Sequence, residues 1–329
     1  MNTPPKNNPQ PSNALLSSPT QLVPRAVVFA YHDVGVRCLS VLIDQGVDIA
    51  LVITHEDAIG DLIWFDSVAE LAMQHGIPTI MPDDPNTDAI ITRIQALAPD
   101  FIFSFYYKLM LKAPLLNIPK RGALNMHGSL LPYYRGRVPV NWAIIHGETQ
   151  TGATLHYMTV KPDAGHIVEQ TAVPILKNDS AGDVFRKVTC AAEITLHSAL
   201  PKLINGTATS QPQDLSLGRY FGGRRPEHGR IDWSLNATAI HNLIRAVAPP
   251  YPGAYTTLNG NELRLLRSRV INTLANNNTK SVFFCDNDGC YVHCAGGGTL
   301  QLFVLEYAGK PVLPHERLAI FGTKNHILD

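Results

Sequence analysis

From Arg25 to Phe105 the chain alternates between two hydrophobic patterns. Short apolar runs occupy 25–32 (Arg-Ala-Val-Val-Phe-Ala-Tyr-His), 48–54, 79–81 and 101–105. Runs of this length suit strands covered on both faces of a parallel sheet. Between them, over 35–45, 66–75 and 88–97, apolar residues recur at helical spacing. Strands alternating with helices of this length predict right-handed βαβ units and a doubly wound α/β sheet. A further strand carries Asn125 and His127. These two residues are two apart, so on an extended strand they share a face while Leu124 and Met126 point the other way, into a core. Ser129-Leu130-Leu131-Pro132 follows at once, and its proline ends the strand and fixes a turn.

After Thr151-Gly152 the runs 153–158 and 166–175 read as two more strands, joined by a loop containing Asp163-Ala164-Gly165. A long helix is expected over 181–203. The Gly/Arg/Pro-rich stretch 222–229 marks a boundary, which divides the chain into a catalytic domain at 25–226 and a smaller one at 227–329. The second domain is expected to hold one helix (237–248), the turn Pro249-Pro250-Tyr251-Pro252-Gly253, and short strands parted by Asn/Gly turns, as in a small barrel or sandwich. Residues 1–24 are rich in Pro, Asn, Ser and Gln. They lack the basic start and apolar stretch of a signal peptide and read as a disordered leader.

Composition narrows the function. The 27 basic and 27 acidic residues balance, whereas a protein gripping a whole tRNA or duplex usually carries a basic surplus; no nucleic-acid partner is expected. No apolar run reaches the roughly 18–20 residues of a membrane helix, so no membrane insertion is expected and the protein reads as soluble and cytoplasmic. The five cysteines are scattered and odd in number, and suggest no secreted disulfide framework. Cys285, Cys290 and Cys294 with His293 lack the spacing of a structural zinc site and read as small apolar strand residues; no metal is expected. The first strand is followed by Ala30-Tyr31-His32-Asp33-Val34-Gly35 without a Gly-x-Gly-x-x-Gly, so NAD is not expected.

An amide, an imidazole and a later carboxylate are what acyl transfer to an amine requires. The imidazole moves protons, the amide hydrogen-bonds the oxyanion, and the carboxylate sets the charge and orientation of the imidazole. Ligands on such sheets bind beyond the carboxyl ends of the strands, where Asn125 and His127 are placed. Plainer roles exist for each: a hydrogen-bonded core histidine for His127, a turn residue for Asp163, core aromatics for Tyr106 and Tyr107. Arg135 and Arg137 are either solvated charges or forked guanidinium groups for a phosphate or a folate carboxylate. From the residues alone the reading is an acyl-transfer site on an α/β sheet.

Asn125-x-His127 with Ser129-Leu130-Leu131-Pro132, then Thr151-Gly152 and Asp163-x-Gly165, resembles the family that transfers formyl groups from 10-formyltetrahydrofolate. The resemblance covers roughly residues 25–325 and implies a Rossmann-like formyltransferase fold followed by an OB-like β-barrel. Several spans look like the formyltransferase part of the bifunctional polymyxin-resistance enzyme acting on UDP-4-amino-4-deoxy-L-arabinose in lipid A modification. These include Tyr134-Arg135-Gly136-Arg137-Val138-Pro139-Val140-Asn141-Trp142, Gly147-Glu148-Thr149, Thr154-Leu155-His156, Phe29-Ala30-Tyr31-His32-Asp33 and Phe221-Gly222-Gly223-Arg224-Arg225-Pro226.

The resemblance implies that Asn125 stabilises the transition state, that His127 carries the proton and that Asp163 raises the pKa of His127. It further implies that Leu109-Met110-Leu111 presents backbone groups to the pterin. Arg137 and the loop Thr159-Val160-Lys161-Pro162-Asp163 would complete the formyl-folate site. The partners would be folate and a sugar nucleotide. Because the decarboxylating dehydrogenase half of the bifunctional enzyme is absent here, a separate protein is expected to supply the preceding step. Methionyl-tRNA formyltransferase shares the Asn/His/Asp set but fits the neutral charge and the Asn141-Trp142 and Leu155-His156 pairs less well. Glycinamide ribonucleotide formyltransferase is similar in site but lacks a domain like that after Gly229. From another class, a non-catalytic folate or sugar-nucleotide binding protein would not need all of Asn125, His127 and Asp163.

Overall fold

A computed structural model describes residues 23–57, 63–274 and 279–328; the leader expected at 1–24 lies outside them except for its last two residues. In the N-terminal part the elements are β1 (Arg25–Ala30), α1 (His32–Asp44), β2 (Asp48–Ile53), α2 (Val68–Gln74), β3 (Thr79–Ile80), α3 (Asp88–Leu97), β4 (Phe101–Phe105), α4 (Ala113–Leu116) and β5 (Ala123–His127). They continue with β6 (Arg135–Gly136), α5 (Pro139–Ile145), β7 (Gln150–Tyr157), β8 (Ile167–Pro174), α6 (Ala181–Ile204) and β9 (Tyr220–Phe221).

The main sheet has the order β3-β2-β1-β4-β5-β7-β8. Its first five strands are parallel, and β7 and β8 add antiparallel to β5 and to each other. Strand order reverses between β1 and β4, the switch point of a doubly wound fold. Both faces are buried, and the strand period of two separates them. Val28, Phe101, Phe103, Phe105, Leu124 and Met126 pack with α1 and α6 on one face. Val27, Phe29, Leu51, Ile53 and Ile102 pack with Ile94 of α3 on the other. The first strand stops two residues short of the expected His32. Tyr31 extends the ladder by donating its N–H to Phe105 O (3.0 Å), while its carbonyl accepts from Gly35 N (3.1 Å) and opens α1.

The C-terminal part comprises α7 (Ala237–Ala246), β10 (Ala254–Leu258), β11 (Asn261–Asn272), β12 (Ser281–Cys285), β13 (Cys290–His293), β14 (Thr299–Tyr307), β15 (Lys310–Val312), α8 (Arg317–Phe321) and β16 (His326–Leu328). Its antiparallel sheet runs β10-β11-β14-β13-β12-β16, and β10 lies against β16, so the barrel nearly closes. Leu263, Leu265, Phe283, Leu300 and Leu302 fill it. A buried hydrogen bond from Asn141 Nδ2 to Ala246 O (2.7 Å) ties α5 to α7 and so joins the two parts.

One expectation is corrected here. Cys285 and Cys290 face each other across the β12–β13 hairpin and form a disulfide. Cross-strand register brings their Cα atoms within 4.1 Å, which neither cysteine spacing nor an odd count could reveal. Among the described residues no group of three or more His, Cys, Asp or Glu is arranged to hold a metal ion, and no helix is long and apolar enough to cross a membrane.

Candidate active site

Asn125 and His127 point from one face of β5 at its carboxyl end, and β7 runs alongside with Asn125 opposite His156 and His127 opposite Thr154. The turn after His127 is held by side chains from that neighbouring hairpin. Thr154 Oγ1 donates to Ser129 O (2.6 Å) and accepts from Leu131 N (3.1 Å). Gln170 Nε2 donates to Thr154 Oγ1 (2.8 Å) and to Leu131 O (2.9 Å). The Leu131–Pro132 peptide is cis. Beyond the turn the chain folds back, and Tyr134 O lies 2.9 Å from His127 Nε2.

Asp163 closes the constellation from the β7–β8 loop. One of its oxygens lies 3.5 Å from His127 Nδ1 and 3.7 Å from His156 Nε2. The other accepts the Gly136 N–H at 2.8 Å. Acceptors thus face both ring nitrogens of His127, so an imidazolium, a donor at both nitrogens, satisfies each. Asp163 itself sits at φ 52, the left-handed region that Asp tolerates better than most residues. Gln213 Nε2 braces the loop through Asp163 O (3.1 Å) and Gly165 O (2.6 Å).

Gly165 lets the loop pass close to β7. A Cβ there would stand 1.9 Å from Tyr157 O and 2.8 Å from Tyr157 C, and backbone cannot yield as a flexible side chain would. Gly165→Ala is expected to lower stability by about 1–3 kcal/mol, the usual cost of overpacking. A denaturant midpoint equal to that of the parent protein would contradict this contact.

The segment after β4 presents Leu109 and Met110 to solvent (39% and 53% exposed) and buries Leu111. Asn86 clamps it by donating to Met110 O (3.0 Å) and accepting from Lys112 N (2.8 Å). The backbone groups of Leu109 and Leu111 make no hydrogen bond among the described residues. In the loop before Asp163, Thr159 Oγ1 donates to Lys161 O (2.8 Å), Val160 is 72% exposed, and Lys161 and Pro162 lead to the carboxylate.

The two arginines after the turn differ sharply. Arg135 is buried, and its Nη2 donates to Leu215 O (3.0 Å) and Gly218 O (2.6 Å), which ties it to the 215–218 backbone. Arg137 is exposed, and its backbone N–H donates to Phe221 O (2.9 Å) where β6 pairs with β9. Arg224 lies over the Trp142 ring at 4.9 Å. Arg137, Arg224 and Arg225 form no ion pair among the described residues.

Residues 32–200 match the formyl transferase family, and residues 224–320 match the formyl transferase C-terminal domain. The chain belongs to the formyl transferase family. Its fold is shared with the N-formyltransferase of Helicobacter canadensis, solved with folinic acid and dTDP-3-aminofucose. That pair is 21% identical with a TM-score of 0.66, covering 86% of this chain and 100% of that one. WlaRD, a sugar 3N-formyl transferase solved with dTDP and 5-N-formyl-THF, is 20% identical with a TM-score of 0.67, covering 85% and 97%. Glycinamide ribonucleotide transformylase 1 of Symbiobacterium toebii is 24% identical (TM-score 0.50) and covers 58% of this chain and 95% of its own.

His156 enters the sequence reading only within the Thr154-Leu155-His156 span and the Leu155-His156 pair, yet it lies against both Asn125 and Asp163. Its side chain is 2% exposed. Burial, reinforced by His127 and opposed by Asp163, lowers its pKa to about 4. Burial and nearby Lys108 bring His32 to about 4 as well. Both fall below the unfolded value of about 6.5. Between that value and about 4 the unfolded chain binds protons that the native state does not, so stability decreases as pH falls. Each such group contributes at most about 1.4 kcal/mol per pH unit. The thermal midpoint is therefore expected to drop between pH 7 and pH 5, before most carboxylates titrate. A flat profile over that range would contradict neutral burial of both rings.

Proposed function

We propose that the protein transfers a formyl group from 10-formyltetrahydrofolate to the amine of a nucleotide-linked amino sugar, with UDP-4-amino-4-deoxy-L-arabinose as the first candidate. The observation that carries this reading is the meeting of Asn125, His127 and Asp163 at the carboxyl end of β5.

When bound, the folate co-substrate supplies the formyl carbon; the residues here do the rest. Asn125 donates a hydrogen bond to the oxyanion that develops as the sugar amine bonds to that carbon. His127 takes the proton released from the attacking nitrogen and returns one to the folate nitrogen as its bond to carbon breaks. Asp163 orients the ring and stabilises its charged form by pairing. The backbone groups of Leu109 and Leu111, which make no hydrogen bond among the described residues, support a pterin site beside β4. Arg137 and the Thr159–Asp163 loop would complete the folate site, with Val160, Lys161 and Pro162 along its edge.

An acceptor bearing a diphosphate is supported by Arg224, over the Trp142 ring that meets Phe221, and by the adjacent Arg225, neither of which forms an ion pair among the described residues, next to the ribbon that holds Asp163. Forked guanidinium groups suit phosphate oxygens. The spans resembling the polymyxin-resistance enzyme favour the arabinose branch. Within this reading the catalytic domain spans 25–226 and the barrel domain 227–329, and the enzyme works in the cytoplasm.

A formyl-transfer assay decides among acceptors. The protein is given 10-formyltetrahydrofolate with UDP-4-amino-4-deoxy-L-arabinose, dTDP-linked amino sugars and methionyl-tRNA in parallel, and products are followed by mass spectrometry. Formylation of the UDP sugar alone establishes the branch. Formylation of a dTDP sugar moves the enzyme to another amino sugar, and formylation of the tRNA alone overturns the sugar reading.

A further inference from the structure

His156 sits directly across the β5–β7 ladder from Asn125. Its Nδ1 lies 2.9 Å from Tyr157 O, a group that only accepts, so the ring proton belongs on Nδ1. The Nε2 lone pair then faces Asn125 Nδ2 at 3.2 Å and accepts an amide N–H. The opposite tautomer would set a lone pair against the Tyr157 carbonyl and one N–H against another. The opposite amide flip would set Asn125 Oδ1 against the Nε2 lone pair. For a neutral ring, only one arrangement satisfies both contacts.

We infer that His156 is a positioning residue that, as a neutral Nδ1–H imidazole, locks the Asn125 amide with its nitrogen turned to donate, leaving the second N–H for the oxyanion. This rests on the formyl-transfer reading above and deepens it. The charged groups around the ring are those of the site itself. An imidazolium at this position would press an N–H against Asn125 and bid for Asp163 Oδ1, 3.7 Å away, in competition with His127. Its burial opposes that charge.

Three variants and one spectrum test the inference. His156→Phe keeps a ring but offers no acceptor, and is expected to lower kcat by about 10- to 100-fold through misalignment, with KM for both substrates within about twofold. His156→Gln, whose Oε1 can take the same hydrogen bond, should recover much of that loss. In an Asn125→Ala background, His156→Phe should cost less than about twofold more, since coupled residues do not add. Losses that multiply, or a KM effect with kcat unchanged, would overturn the role.

Long-range proton–nitrogen correlation on the full-length protein reads the tautomer without any turnover. A neutral Nδ1–H ring at pH 6 is expected, and an Nε2–H or charged ring would overturn the inference. If the parent protein formylates no acceptor, the functional reading fails and the spectrum still decides the hydrogen-bond chain.

Discussion

Replacing His127 with alanine is expected to cut turnover by at least about 10²–10³, because positioned acid–base groups contribute about 10²–10⁴. The ring cannot be replaced by water at the same place. It is 6% exposed, and its nitrogens are directed by Tyr134 O at 2.9 Å and Asp163 Oδ1 at 3.5 Å. Alanine removes the proton carrier, while Asp163 keeps its bond from Gly136 N–H. The fold should therefore survive, and folate affinity should change little. The measurement is steady-state formyl transfer across pH, with folate affinity determined separately. Turnover within about tenfold of the parent would remove His127 from the proton-carrying role.

The fold was legible where the chain repeats a strong pattern. Apolar runs of 4–8 residues and helices of two or more turns placed β2, α3, β4, β8 and α6 close to their observed limits. The same reasoning could not see β6 and β9, which are two residues each and have no periodicity to read. It also passed over α5, which starts at Pro139 and is only seven residues long. At the site, the shared face of Asn125 and His127 followed from strand geometry.

Other features depended on contacts that local sequence does not encode. His156 lies in a run read as a strand and stood out only as part of a resembling span, and its place beside Asn125 comes from the antiparallel register. The signal available was period two: Thr154 and His156 share one face, as Asn125 and His127 do. From the residues alone Arg135 and Arg137 were indistinguishable, and only the resemblance singled out Arg137. The fold separates them by burying the first against the 215–218 backbone and leaving the second exposed.

Asn125→Ala should cost about 10²–10³ in turnover, the usual loss when one oxyanion donor is removed, and should do so differently from loss of His127. The amide does not titrate, so the shape of the pH profile should persist while its height collapses. The change should appear in kcat and in kcat/KM alike, since the hydrogen bond strengthens only as the oxyanion forms. Asn125→Asp is expected to be at least as damaging despite its matched size. A carboxylate facing His156 Nε2 would meet a lone pair instead of giving an N–H, and its charge would oppose the oxyanion and crowd Asp163. Should Asn125→Asp outperform Asn125→Ala, the position would be acting as a base or a charge partner, and the oxyanion role would have to be assigned to another group. Single-turnover rates with saturating folate and acceptor distinguish these outcomes, because they report the chemical step without product release.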